Sequence, residues 1–184
     1  MTATAREIYP TSNLFEYSKT AYYTDCFAIE STNLDVPIEE IYARIFSATP
    51  KWFDALMTLC NKIVGLFGLK STVDLSNSLT PFETAKKKFN MKTVSSPNKM
   101  MDFFVVEALI DNEIILVIKD THLDLKISIL RTDIDLVNGT STIAVSDVIH
   151  THNLLGKIYL FFILPMHKLI VKKMLNDAKL GGDI

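Results

Sequence analysis

Apolar and polar residues alternate cleanly from residue 121 onward. Leu123, Leu125, Ile127 and Ile129 fall on one face, and His122, Asp124, Lys126 and Ser128 on the other. A period of two marks a half-buried strand. After a loop around Asn138-Gly139, Ile143, Val145 and Ile149 continue the apolar face. Residues 103–110 and 113–119 form two earlier strands, joined by the tight turn Asp111-Asn112. Residues 22–30, rich in Tyr, Thr, Phe and Ile, read as a first strand. Residues 82–94 carry a weaker pattern and read as another strand, ended by the turn Ser95-Ser96-Pro97-Asn98.

Elsewhere the period changes to that of a helix. Val36-Pro37 opens a short helix with Glu39 and Glu40 in its first turn and Ile38, Ile41, Tyr42, Ile45 and Phe46 on one face. Thr49-Pro50 repeats the start signal for a second helix that runs to about residue 66 and stops near Gly68. Its apolar stripe holds Trp52, Leu56, Leu59, Cys60, Ile63 and Phe67. Residues 70–80 read as a loop, being rich in Ser, Thr, Asn and Asp. The final helix spans residues 153–179 with Pro165 inside it, where a bend is expected.

Strand, helix, helix, a run of antiparallel strands and a long helix indicate an α+β class. The expected architecture is a curved antiparallel sheet wrapped around the C-terminal helix, with a cavity between the two. Residues 1–20 are expected to form a flexible N-terminal segment and residues 21–180 a single domain. This order resembles the helix-grip arrangement of the START and Bet v 1 superfamily (SRPBCC), which implies a hydrophobic pocket under the last helix. Shorter stretches resemble an uncharacterised bacterial family known as domain of unknown function 2867. They are Thr49-Pro50-Lys51-Trp52-Phe53-Asp54-Ala55-Leu56-Met57 continuing to Phe67-Gly68-Leu69-Lys70, then His122-Leu123-Asp124, then His152 with Gly156, Tyr159, Pro165 and His167. That family tends to carry Arg before the Asn of the second helix, where Cys60 precedes Asn61 here, and Phe-Arg after His-Leu-Asp, where this chain has Leu125-Lys126. The resemblance implies the fold and no established activity.

Composition sharpens this picture in one respect. A chain of 184 residues, 48% hydrophobic and with a mean hydropathy of +0.22, is more apolar than an ordinary single domain. The excess belongs to a lined pocket, a dimer face or a membrane-facing helix. Residues 154–171 match a spanning helix in length, yet Lys157, His167 and Lys168 interrupt them, so a buried helix is favoured and a membrane partner is not expected. Net charge is −2, which leaves no basic field for nucleic acid. Lys86-Lys87-Lys88 read as a solvated strand edge or loop. Cys26 and Cys60 have no neighbour at metal-ligand spacing and read as small buried hydrophobes. Residues 1–13 lack an apolar core of the secretory kind, so a cytoplasmic location is the default.

No phosphate loop, CxxC pair, HExxH or GxSxG occurs, so no catalytic residue is assignable and no cofactor is expected. His122, Asp124 and His150 are the candidate metal ligands. With the hairpin centred near residue 136, His122 comes opposite His150, with Asp124 on the same face. That face is opposite Leu123, Leu125 and Ile127, so a polar outer surface accounts for them and no metal is expected. Ligand-binding candidates are Trp52 and Tyr159 for apolar area, His152 near the start of the last helix, and Arg44 for a carboxylate. His167, two residues past Pro165, is expected to donate to carbonyls freed there. Asp54, Asp124 and Glu107 are the acids available for proton transfer, and no spacing pairs them.

Three functions fit: a module binding an apolar small molecule between sheet and final helix, a cyclase, hydratase or hydrolase using the same cavity, or a non-catalytic homodimeric interaction protein.

Overall fold

The computed structural model describes residues 2–49, 52, 81–91, 104–182 and 184. Within them the chain runs β1 (Thr4–Ala5), α1 (Phe15–Ser18), β2 (Tyr23–Ser31), α2 (Ile38–Ser47), α3 (Pro81–Lys88), β3 (Val105–Ile110), β4 (Glu113–Lys119), β5 (Leu123–Asp135), β6 (Thr140–Thr151) and α4 (Leu154–Leu180). The second helix read from Thr49-Pro50, the loop at 70–80 and the turn at 95–98 lie outside the described residues. The strands pair antiparallel in one sheet, in the order β1-β2-β6-β5-β4-β3. This is the expected α+β class, a curved antiparallel sheet gripping a long C-terminal helix.

Two turns set the register. Asp111-Asn112 closes β3 onto β4 with Ile110 opposite Glu113. At the β5–β6 turn the Asp135 carboxylate accepts from the backbone N–H of Val137 and Asn138 at 2.9 and 3.1 Å, and Gly139 takes a φ of 67°. From there Ile129 pairs with Val145 and Ile127 with Asp147, while β2 sets Phe27 opposite Val145 and Asp25 opposite Asp147.

Because side chains alternate, this register separates two faces. On the inner face Phe27, Ile29, Ile114, Leu116, Ile127, Ile129, Ile143 and Val145 join one buried cluster with Ile38, Ile41, Tyr42, Ile45 and Phe46 of α2 and Ile170, Val171, Met174, Leu175 and Ala178 of α4. Each such aliphatic side chain stabilises the fold by roughly 1.5–3 kcal/mol when fully buried. Lys179 and Asn176 tie the end of α4 down, donating to the Glu30 carbonyl and accepting from Ala3 N–H, both at 2.7 Å.

Within residues 1–20, expected as a flexible segment, β1 joins the sheet edge, Ala3 joins the inner cluster, and the stretch from Ile8 to Tyr17 covers the outer face. Leu14 packs on Ile115 and Val148, and Ile8 and Tyr9 pack near Cys26, Ala28 and Ala144. Glu113, 2% exposed, anchors the segment. It accepts from Ser12 Oγ at 2.6 Å, Asn13 N–H at 2.9 Å, Asn13 Nδ2 at 2.5 Å and the hydroxyl of Ser128.

The strand expected at 82–94 is corrected over its first part, because Pro81–Lys88 is a helix; residues 92–94 lie outside the described residues. Proline suits a first helical position, and Lys86, Lys87 and Lys88 in the last turn complement the helix dipole. Asn90 follows with a φ of 53°.

The helix α4 runs unbroken through Pro165. Asn153 caps it, its side chain accepting from Gly156 N–H at 3.0 Å. The burial expected of residues 154–171 is met only at Gly156, Leu160, Ile170 and Val171, and the helix is better buried beyond them, at Met174, Leu175 and Ala178. Earlier, Leu154, Phe161, Phe162 and Leu169 are exposed, and the helix is long and apolar enough to cross a membrane by length and composition.

Two stability measurements check this packing. A Cβ at Gly156 would meet the His122 carbonyl oxygen at 2.3 Å, so Gly156→Ala is expected to cost about 1–3 kcal/mol in urea unfolding. In an open helix the same change would gain roughly 1 kcal/mol. Glu113→Ala strands the donors of Ser12, Asn13 and Ser128 and is expected to cost on the order of 3 kcal/mol. Limited proteolysis should then cut within residues 1–20 faster than in the parent; equal rates would show that Glu113 does not hold the segment.

Candidate functional site

The inner face carries two acids among its aliphatics. Asp25 lies between Tyr23 and Phe27 along one side of β2, and Asp147 between Val145 and Ile149 along β6, directly across from it. The ladder therefore sets two carboxylates side by side under α4. On that helix the stripe of Leu160, Leu164, His167, Ile170, Val171 and Met174 faces the sheet, and His167 is the one polar member. Its Nε2 lies 3.8 Å from Asp147 Oδ1. One ligating atom from each of Asp25, Asp147 and His167 fits within 4.8 Å of the others, and this is the three-residue cluster of metal-ligand type found among the described residues.

Asp147 is 0% exposed, and among the described residues its carboxyl has no hydrogen-bond partner but the carboxyl of Asp25. Asp25 Oδ1 and His167 Nδ1 are also buried without a hydrogen-bond partner among those residues. Tyr23 donates its hydroxyl to Asp25 Oδ2 at 2.6 Å and so orients that carboxylate. Burial first, then the charge of Asp25 and hydrogen bonding with it, hold the Asp147 carboxyl well above the usual carboxylate range. Burial depresses the His167 imidazole below its ordinary value, opposed by the charge of Asp25. Although 23% of the His167 side chain is accessible, its Nδ1 is fully covered and its Nε2 is the nitrogen near Asp147. Burial and the bond to Asp25 also push the Tyr23 phenol up. A proton or a divalent cation would satisfy such a site, with two carboxylate oxygens and an imidazole nitrogen as donors.

The residues expected from sequence lie elsewhere. Asp124, not His122, stands opposite His150, because the hairpin centres one residue later than expected and partners shift by two. All three lie off the inner face, as expected, in separate contacts. His150 Nε2 meets the Tyr17 carbonyl at 3.2 Å, Asp124 meets His152 Nε2 at 3.3 Å, and His122 Nδ1 meets the Asn153 amide at 2.9 Å. Tyr159 is partly buried against Leu123, Ile149 and Leu160, next along the inner face from Asp147. Arg44 pairs with Glu40 at 3.0 Å on α2, and Trp52 is 39% exposed. His167 corrects the carbonyl-donor role, since the helical phase turns its ring onto Asp147. Cys26 is buried and reduced, and burial raises its thiol. Cys60 and Asp54 lie outside the described residues. A groove of about 750 Å³ lies on the outer face by β1, lined by Thr4, Arg6, Tyr9, Ala28, Glu30 and Asp133, away from the acid pair.

Asp25 and Asp147 escaped the sequence reading, which followed the apolar parity past them. Their signal was that parity itself: an acid in phase with Phe27 and Ile29, and another in phase with Ile143, Val145 and Ile149.

A family model described as "Protein of unknown function (DUF2867)" matches residues 17–174, and the chain belongs to that family. No curated protein and no solved structure matches it.

A raised folded-state pKa means that Asp147 favours folding below its unfolded value, near pH 4, and that this contribution is lost as pH rises to the folded pKa. In chelator-treated protein, Asp147→Asn lacks that loss. Across the window above pH 4 the variant should therefore gain about 1.4 kcal/mol on the parent per pH unit. His167 has the opposite tilt, losing stability as pH falls, and is common to both proteins. Denaturant unfolding from pH 4 to 8 checks this; a parent that gains on the variant with rising pH would sink it.

Proposed function

We propose that this protein binds a small, largely apolar molecule between its sheet and α4, with the molecule's polar end directed at Asp25, Asp147 and His167. One observation carries the reading: Asp147 is fully buried on an aliphatic face, with no hydrogen-bond partner among the described residues but a second acid, Asp25. A buried pair of acids without an outside donor costs several kcal/mol, and a fold keeps such a cost where a ligand or a reaction uses the groups. The surroundings support an apolar partner. Leu123, Ile149, Leu160, Tyr159 and Leu164 continue the inner face beside the acids, the mix of apolar lining and few polar groups that small-molecule sites use. Tyr159 then keeps its expected place at the ligand, while Arg44, Trp52 and His152 stand at the periphery.

A second reading has its own support. A buried carboxyl 3.8 Å from an imidazole is the arrangement of a proton-transfer pair, which suits a hydratase, cyclase or hydrolase acting in the same space. The homodimer reading draws instead on the exposed Phe161 and Phe162 of α4.

Native mass spectra of freshly purified protein, repeated after denaturation, test the main reading. An organic mass lost on unfolding is expected. Medium-chain carboxylic acids or alcohols at 100 times their dissociation constant should stabilise the protein by about 2.7 kcal/mol. A bare monomer that no such compound stabilises would refute ligand binding, and a bare dimer would transfer the support to the exposed face of α4.

A further inference from the structure

The geometry points to a divalent transition-metal site formed by Asp25, Asp147 and His167, with zinc as the best-fitting ion. The inference rests on the reading of this cluster as the functional site, and it names the group that would meet a ligand's polar end.

Three observations carry it. Asp25 and Asp147 face each other across the β2–β6 ladder, and among the described residues nothing lies between them but a proton the two carboxyls can share. Acceptors placed together in a dry interior need a positive charge between them, and two carboxylates match the charge of one divalent ion. His167 completes a set of two oxygens and one nitrogen through its Nε2, and Asp25 Oδ1 is buried without a hydrogen-bond partner among the described residues. Finally, the hydroxyl of Tyr23 fixes Asp25 from behind at 2.6 Å, in the way an outer-shell group orients a ligating carboxylate.

The spacing suits a small ion. Zinc bonds of about 2.0–2.2 Å place tetrahedral ligands roughly 3.3 Å apart, and the 3.8 Å from His167 Nε2 to Asp147 Oδ1 closes to that by small side-chain rotations. One imidazole among the donors favours zinc over magnesium, which prefers oxygen and keeps its waters. Three protein ligands leave a fourth position for water or for the ligand, as in catalytic rather than structural zinc sites. The surface group His122, Asp124, His150 and His152 is the internal control, since its members are taken up by Asn153, Tyr17 and one another.

Protein dialysed against a chelator is titrated with Zn²⁺, Mn²⁺ and Mg²⁺ by calorimetry, and bound metal is counted by mass spectrometry after gel filtration. One equivalent of Zn²⁺ is expected, with Mn²⁺ weaker and Mg²⁺ not taken up. Asp147→Asn and His167→Gln should each weaken zinc by more than about 100-fold, and Tyr23→Phe by roughly 10-fold, the lower end of an outer-shell loss. His150→Gln and His152→Gln should leave affinity unchanged. Circular dichroism reports whether each variant is folded, and the graded effect of Tyr23→Phe keeps the test decisive if a ligand variant is not. Absence of stoichiometric zinc in the parent, or full affinity in folded Asp147→Asn and His167→Gln, would overturn the inference. Apolar-ligand stabilisation is measured on the chelated protein in parallel. Lost metal with retained ligand binding removes this inference alone; retained metal without ligand binding upholds it and removes the ligand reading.

Discussion

The antiparallel register of β2, β6 and β5 is the constraint on which everything else in this chain depends. A slip of one residue would turn every inner side chain outward, sending Phe27, Ile29, Val145 and Ile143 to the N-terminal segment and Cys26, Ser146 and Val148 to the helix. The pinned turns at Asp111-Asn112 and at Asp135 to Gly139 prevent that. The same register also leaves no freedom in where Asp25 and Asp147 go. Once the aliphatics around them are buried, the two acids are buried too, and side by side.

The sheet shows what a fully satisfied buried acid looks like. Glu113, on the outer face, is as covered as Asp147 on the inner one, yet it collects donors from Ser12, Asn13 and Ser128. Ser12 and Asn13 arrive on the N-terminal segment, which the chain lays across the outer face, and Ser128 on the neighbouring β5. Around Asp147 the neighbours are aliphatic, and His167 stands 3.8 Å off. One acid is an anchor whose partners are built in. The other has, among the described residues, only a second acid beside it as a hydrogen-bond partner, and this difference sets the two buried acids apart.

Much of this was legible from the sequence, and each failure has a physical cause. Period-two alternation gave β5 and β6, and a two-residue polar turn gave β3 and β4. The long apolar run with Asn153 ahead of it gave α4 within a residue or two. The first part of the strand expected at 82–94 was a helix because Thr and Phe there resemble strand residues one by one. The spacing of Thr80, Pro81 and Glu83 is that of a helix start, and three lysines suit a helix end. Partners across the β5–β6 hairpin shifted by two because a hairpin's centre, uncertain by a single residue, is doubled in its register. The polar residues that looked functional, His122, Asp124 and His150, lay where solvent makes polarity cheap. Informative polarity was that of Asp25 and Asp147, in phase with the aliphatics, and it becomes visible only when an exception to a pattern is weighed as heavily as the pattern.

The position of His167 adds a last step. A helix lying on a sheet presents a narrow stripe, and on α4 that stripe is aliphatic on both sides of His167. An imidazole there is desolvated and favours its neutral form, which leaves a nitrogen lone pair directed into the space shared with the acids. Neutral imidazole beside carboxylates does not supply the positive charge that the acids lack. With both acids ionised the cluster carries two negative charges, and the identity of the positive charge that offsets them decides the chemistry. A proton resident on Asp147 makes the site an acid poised in an apolar chamber. A divalent ion, held by Asp25, Asp147 and His167, would supply Lewis acidity instead. Both follow from the same three side chains, between the β2–β6 ladder and the middle of α4.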